Sequence, residues 1–397
     1  MRGSMFVEKK FFLKIMRDYL AGRQSAQEPN LNWIFLEELA NAHQVQGIMY
    51  VQCKNYLPKE VRKHLERAFY AALYNYKKRE RCLLSISETF KKVNIPYFTI
   101  KGLDIAHYYP YPALRTMGDM DLVVHEDDKR RAGESLEKLG FIKNYEFTGK
   151  EIGYLYQGLQ YELHYELVYD ELVTKPIIKQ YFNKCWDFVS GGKLDHSFHF
   201  IFLLVHLRKH LMHEGAGFRQ FMDIGILIKN DNTLNWPWIE KCLQELNLIK
   251  FAGVCFGLIE RWFEIKAPIS FPKPDNDFMV RATEKIFTNG VFGFNNAANN
   301  SNSVVNQLRK YNGPRWMRRI ILLVERAFPS YDYLKIGSNY TFMNKRPWLL
   351  PFAWIYRFYL MMTGKTTNGE KIIGIIMTPD DIIDSRNEEL RQWGLID

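Results

Sequence analysis

The sequence predicts an α+β protein, and three observations carry that expectation. Apolar residues recur at three-to-four spacing through most of residues 6–92. Between about 96 and 167 this period gives way to short β-branched and aromatic runs broken by Gly, Pro and Asn. From Ser197 onward the helical period returns. Strands gathered mid-chain between helical stretches fit a mixed sheet with helices on one side.

Taken in order, Phe6–Leu20 and Trp33–Ala42 read as amphipathic helices, and Lys59–Lys92, free of Gly and Pro, as one or two long ones. Pro96–Ile100 is a short β-rich run, followed by Lys101-Gly102 and a helical turn over Leu103–Tyr108. Residues 109–118 form a loop. Asp119–His125 reads as a strand, Glu126–Leu139 as a helix ending at Gly140, and Phe141–Phe147, Ile152–Gln157 and Leu159–Leu167 as further strands. Helices follow at Phe198–Met212, Phe218–Lys229, Trp236–Leu246 and Leu248–Trp262, then at Trp316–Ala327 and near Phe352–Met362. The Asn-, Gly- and Ser-rich stretch 289–305 reads as a flexible loop or interdomain connection. Four regions result: helical 1–92, a sheet-bearing domain at 93–190, a helical region at 191–288 closing its cleft, and a basic, aromatic-rich helical region at 289–397.

The chain has 397 residues, 47% hydrophobic and 25% charged, which suits two to three domains with a real core. Its formal net charge is +10 and its pI about 9.1, a balance that favours polyanionic partners such as nucleotides, RNA or anionic lipid. The five cysteines, at 53, 82, 185, 242 and 255, form no CxxC pair, which argues against a zinc ribbon or a disulfide framework. The N-terminus lacks an apolar stretch with a small-residue cleavage site, and no window of about 18 apolar, charge-free residues occurs. A cytoplasmic protein without a transmembrane segment is expected. Trp348–Met362 is the most apolar window, and Pro351 and Arg357 interrupt it, so it reads as a buried helix in preference to the alternative, an interfacial one.

The informative chemistry lies between Tyr97 and Glu166. On a strand, Asp119 and Asp121 point to one face. Two carboxylates on an otherwise apolar strand are costly to leave uncompensated. Hard divalent cations, Mg²⁺ or Mn²⁺, suit oxygen ligands of this kind. Glu162 lies on a later strand. If that strand neighbours the first, three carboxylates converge into a metal site able to align an in-line attack on phosphorus. Lys101-Gly102 ends one strand and opens a helix, where a glycine lets phosphate approach the backbone. Arg115, four residues before Asp119, is suited to gripping a phosphate.

The stretch IKGLDIAHYYPYPALRTMGDMDLVV, followed by YELHYEL, resembles the uncharacterised nucleotidyltransferases of the polymerase-β-like superfamily. The shared pattern is Lys101-Gly102, Tyr109-Pro110, Arg115, then Gly118-Asp119-x-Asp121 and an apolar strand, with Glu162 two residues before His164 on a later strand. The resemblance covers about residues 95–265. It implies a palm-like mixed sheet and transfer of a nucleoside monophosphate from an NTP to an acceptor, with release of pyrophosphate. Asp119, Asp121 and Glu162 would be the catalytic and metal-ligating residues. Lys101, Gly102, Arg115, Gly118 and His164 would meet the nucleotide. One departure is Leu103, where the wider superfamily carries a Ser or Gly after the first glycine. The phosphate grip then rests on backbone amides, Lys101 and Arg115.

His206 and His210 share a helix face, but no third ligand is set by spacing, so packing or substrate contact is expected rather than zinc. Asp223 reads as an anchoring acid paired with Arg219 across i,i+4, or as a substrate contact. Gly364-Lys365-Thr366 has Tyr359 where a Walker motif needs its first glycine. The basic C-terminal residues Arg315, Arg318, Arg319, Lys345 and Arg346 interleave with Trp316, Tyr340 and Trp348, reading as a helical cap with a positive surface. The rival functions are a catalytically silent nucleotide- or RNA-binding module and a membrane-surface or scaffold protein. The acceptor, whether small molecule, protein or RNA, is not legible.

Overall fold

The computed structural model describes residues 4–147, 150–168, 175–213, 215–290, 304–334, 338–343, 346–363 and 368–396. It comprises two compact units, residues 1–294 with 393–395 and residues 295–392 with 396–397.

In the first unit, α1 (Ser4–Leu20), α2 (Trp33–Ala42) and α3 (Gln46–Cys53) precede α4, which runs unbroken from Lys59 to Lys92. No Gly or Pro interrupts those 34 residues, and Cys82, Ile86 and Phe90 form the stripe that meets the sheet. The strands are β1 (Tyr97–Ile100), β2 (Asp121–Val124), β3 (Ile142–Phe147), β4 (Glu151–Tyr156) and β5 (Leu159–His164), in the spatial order β1-β2-β5-β4-β3. Only the β2–β5 pair is parallel, so the sheet is mixed. After β1, α5 (Gly102–Ala106) makes little more than one turn. After β2 a short 3₁₀ turn leads into α6 (Lys129–Lys138), so the single helix expected from Glu126 starts one turn late.

Strand alternation sorts the side chains between two faces. Leu122, Val124, Tyr161, Leu163, Ile152 and Tyr154 pack against α4 and α6 residues, including Ile86, Phe90, Ala132 and Leu136. Asp121, Glu162, His164 and Glu151 belong to the opposite face. That face is covered as well: β2 is buried at all four positions, and Phe98 meets the Trp186 ring edge-on at 4.9 Å. After the short α7 (Pro176–Phe182), the main cover is α8 (His196–Met212), buried along most of its surface, as a helix apolar nearly all round requires. Next come α9 (Phe218–Asn230), α10 (Trp236–Glu245), α11 (Ile249–Phe263) and α12 (Asn276–Asn289). Trp393 packs on Phe278 at 5.7 Å between centroids, and Arg208 donates to the Leu395 carbonyl, tying the segment 393–395 into this unit. The five cysteines are buried and free.

Helices also form at Pro176–Phe182, Asn276–Asn289, Asn368–Met377 and Asp380–Gln392, where none was expected from the sequence, and two further differences concern α3 and β2. The helix α3 was not anticipated, because its eight residues QGIMYVQC carry glycine and valine and are buried on almost every side, which removes the amphipathic signal. The strand expected over Asp119–His125 begins only at Asp121. Asp119 precedes it, although Met120 still exchanges backbone hydrogen bonds with Gln160 and Glu162.

The second unit holds helices at Arg315–Ala327, Leu350–Met362, Asn368–Met377 and Asp380–Gln392. Its cores are small: Val304, Val305, Leu308, Leu322, Ile375 and Ile383 form one, and Leu334, Tyr340, Met343 and Ala353 another. The helix expected to be buried is not. Leu350–Met362 buries Ala353, Arg357 and Leu360 and leaves most of its large apolar side chains outside, because each core takes only a narrow stripe. The connection expected at 289–305 lies largely outside the described residues, as do Lys345 and Gly364–Thr366.

His43 is fully buried among Phe12, Phe218 and Phe287, and burial lowers its pKa from 6.5 to about 3. The unfolded chain therefore takes up this proton between pH 6.5 and 3 and the folded chain does not. The stabilisation from the neutral ring is complete above pH 6.5 and is lost on acidification, by about 1.4 kcal/mol per pH unit. Urea unfolding between pH 7 and pH 5 should show stability falling with pH, and His43→Phe should flatten that slope by about this amount.

Candidate functional site

The site is built where β1, β2 and β5 lie side by side. Asp121 is the register partner of Ile100 on one side and of Glu162 on the other. His164 and Glu151 are partners across β5 and β4. This pairing brings Asp121, Glu162, His164 and Glu151 together on one face, although they come from three strands.

His164 is the hub. Its Nε2 lies 2.9 Å from Asp121 Oδ1 and 3.3 Å from Glu162 Oε2, and its Nδ1 lies 3.3 Å from Glu151 Oε2. Burial opposes its charge, but the hydrogen bonds to Asp121 and Glu162 prevail and raise its pKa to about 9. The ring is an imidazolium at neutral pH. Lys101 Nζ donates to Asp121 Oδ1 at 3.1 Å. Burial by itself would raise the Asp121 carboxyl, yet the Lys101 ammonium and His164 hold it below the usual carboxylate range. The Glu162 carboxyl is lowered against its burial by the hydrogen bond from His164, and Tyr145 also donates to it. Asp119 goes the other way, pushed up first by the Asp121 charge and then by burial.

Lys101 reaches Asp121 from a backbone that few residues adopt, with φ +55° and ψ −121°. For a non-glycine residue this costs on the order of 1–3 kcal/mol. His199 on α8 holds it there by accepting the Lys101 N–H at 2.9 Å. Burial lowers the His199 pKa to about 3, so the ring is neutral and has a lone pair for that bond. Gly102 follows at φ +29°.

The loop ahead of Asp119 is braced by arginines. Arg115 grips Asp223 on α9 with two parallel bonds of 2.8 Å, from Nε to Oδ1 and from Nη2 to Oδ2, and its Nη1 donates to the Gly102 carbonyl. Tyr109 donates to the same Asp223 at 2.7 Å. The expected Arg219–Asp223 pair is therefore not formed: Asp223 is taken by Arg115, and Arg219 donates to the carbonyl and hydroxyl of Thr116. Arg79 on α4 donates to the Gly118 carbonyl at 3.1 Å.

These residues enclose a cavity of about 320 Å³. Lys101, Gly102, Arg115, Gly118, Asp119, Glu162 and His164 line it, as do His206, His210, Asp223 and Arg219. Asp121 lies beneath its floor at 1% exposure. Asp121, Glu162 and His164 each offer an atom within 4.8 Å of the others, a spacing able to hold a metal ion once the His164 ring gives up its proton to free a lone pair. Asp119, expected in that group, stands outside it on the cavity wall. Asp121 Oδ2 is buried without a hydrogen-bond partner, which fits a cation ligand. His206 and His210 meet through Nε2 atoms 2.9 Å apart, and burial, followed by the Lys101 charge, lowers both pKa values.

Sequence reasoning missed Glu151, Tyr145, His199 and Arg79. The one signal was Gly153, a glycine inside a strand, where backbone or side chains approach closely. A Cβ at Gly153 would lie 2.2 Å from the Tyr145 ring, which crosses this position on its way to Glu162.

A mixed sheet presenting carboxylates beside a cationic strand–helix turn suits an α+β transferase acting on phosphates. Residues 29–264 match the family model described as uncharacterised nucleotidyltransferase, and since the match spans more than half of the chain, the chain belongs to that family. No curated protein and no solved structure matches it.

The Arg115–Asp223 pair is buried on both sides. Asp223→Ala, which strands the guanidinium, should destabilise the first unit by about 3–5 kcal/mol. Urea denaturation of wild type and variant measures the difference.

Proposed function

We propose that the chain is a metal-dependent nucleotidyltransferase on a polymerase-β-like palm, moving a nucleoside monophosphate from an NTP to an acceptor hydroxyl or other nucleophile. The observation that carries this reading is the register of β2 and β5, with Asp121 opposite Glu162, His164 two residues on, and an unpartnered buried Asp121 oxygen. Asp121 and Glu162, with Asp119 from the wall, would hold Mg²⁺ or Mn²⁺, which suits such oxygen donors. Bound there, a divalent cation neutralises charge on the triphosphate and on the leaving pyrophosphate.

The chain's own residues supply the rest. Lys101, Gly102 and the Gly118 backbone border the space beside the acids and meet the phosphates. Arg115 acts on the same turn through the Gly102 carbonyl that it holds. Arg219 lines the cavity, and among the described residues no carboxylate lies within ion-pair distance of it, which makes it a natural counter-charge for a phosphate. The acceptor oxygen attacks the α-phosphorus, the bond to the β-phosphate oxygen breaks, and pyrophosphate leaves. Glu162 orients the acceptor or takes its proton.

Incubating the protein in cell extract with each α-labelled NTP and Mg²⁺ or Mn²⁺ should place label on one fraction. Asp121→Asn and Asp119→Asn should each lower transfer by roughly a hundredfold or more while circular dichroism is unchanged, since even outer-shell changes at metal sites cost about 10–100-fold. Transfer that survives both substitutions, or that needs no divalent ion, overturns the reading. Metal-dependent nucleotide binding without turnover would instead describe a silent binding module.

A further inference from the structure

The second unit turns two of its helices inside out. On Leu350–Met362 the inward side carries a charge, Arg357, at 3% exposure, while Ile355 is 68% and Met362 88% exposed. Trp348, just ahead of the helix, is 69% exposed. Residues 352, 355, 359 and 362 follow helical spacing, so these side chains share one face. On Arg315–Ala327, Arg319 is turned toward its own unit and donates to the Ile375 and Thr378 carbonyls and to Asp380. Trp316, Ile320 and Val324, one turn apart, point outward. Phe328 continues that stripe and meets the Phe358 ring at 6.0 Å, joining it to the second helix.

More than half of the large apolar side chains exposed among the described residues lie in this unit, which holds a quarter of the chain. A guanidinium turned inward under a band of outward-facing aromatic and aliphatic side chains reverses the order that water imposes on a domain surface. Contiguous apolar patches of this kind mark an interaction surface. Charge identifies the occupant. Residues 295–392 carry 14 Lys and Arg against 8 Asp and Glu, a formal +6 of the chain's +10. Arg346 stands exposed two residues before Trp348, and Arg315, ion-paired with Asp384, lies beside Trp316. Aromatic anchors flanked by arginines, in a positively charged unit, match the boundary between acyl chains and anionic headgroups. No described helix is long and apolar enough to cross a membrane, so the contact is one of lying on the surface.

We propose that the face formed by Trp316, Ile320, Val324, Trp348, Ile355 and Met362 seats this unit on a bilayer that contains anionic lipid. The full chain should co-sediment with phosphatidylcholine vesicles doped with phosphatidylglycerol, and more weakly with phosphatidylcholine alone. High salt should weaken the attachment, because screening removes the electrostatic part. The triple substitution Trp348→Ser, Ile355→Ser and Met362→Ser changes only exposed positions, and it should lower partitioning by about tenfold or more at unchanged circular dichroism. The proposal fails if wild type stays in the supernatant with both vesicles, if it binds both equally, or if the triple variant sediments like wild type. It also fails if light scattering shows a dimer that the triple variant dissolves, for then a second copy of the chain covers this face.

Discussion

Bringing like charges together on a buried strand is the constraint around which the first unit is organised. Asp121 and Glu162 face each other across a parallel pair, with Asp119 and Glu151 beside them. At an effective dielectric near 20, two carboxylates about 4 Å apart repel by about 4 kcal/mol. The sheet tolerates this because Lys101 and the His164 imidazolium are set among the acids. Both cations need support: Lys101 holds an unfavourable backbone conformation only with the help of His199, and His164 is charged only because carboxylates surround it.

A second tier of contacts fixes the loop that carries Asp119. Arg79 from α4 and Arg219 from α9 grip it at Gly118 and Thr116, and Arg115, within the loop, ties it to the Gly102 carbonyl at the start of α5. Asp223 and Tyr109 complete the brace from within the core. Much of the positive charge near the site therefore holds backbone in place, and the cavity wall is assembled from helices distant in sequence. This explains how a sheet of short strands keeps its acids in register: α4 and α6 press on one face while α8 and the arginine brace close the other. The second unit follows a different rule, with small cores and an apolar exterior.

Much of the site was legible from sequence because its residues sit on elements with strong local signals. The Asp-x-Asp run leads into an apolar strand that begins at Asp121, Lys101-Gly102 joins a strand to a helix, and Glu162 and His164 alternate with buried Tyr161 and Leu163. These patterns specify which face each side chain takes once a strand is assumed. The buried amphipathic stripes of α1, α2 and α4 were legible for the same reason.

What the chain's local pattern determined by itself was the α+β class, the order of its main strands and several of the residues that line the cavity, Lys101, Asp119, Glu162 and His164 among them. Tertiary structure alone decided the partners. That Arg115 rather than Arg219 takes Asp223, that Glu151 and Tyr145 join the acid cluster, and that His199 supports Lys101 depend on contacts between segments far apart in sequence. Local periodicity carries no information on such pairings. The outward turn of Leu350–Met362 belongs to the same category: an apolar helix reads alike whether protein or another medium covers it, and only packing reveals which side was left open.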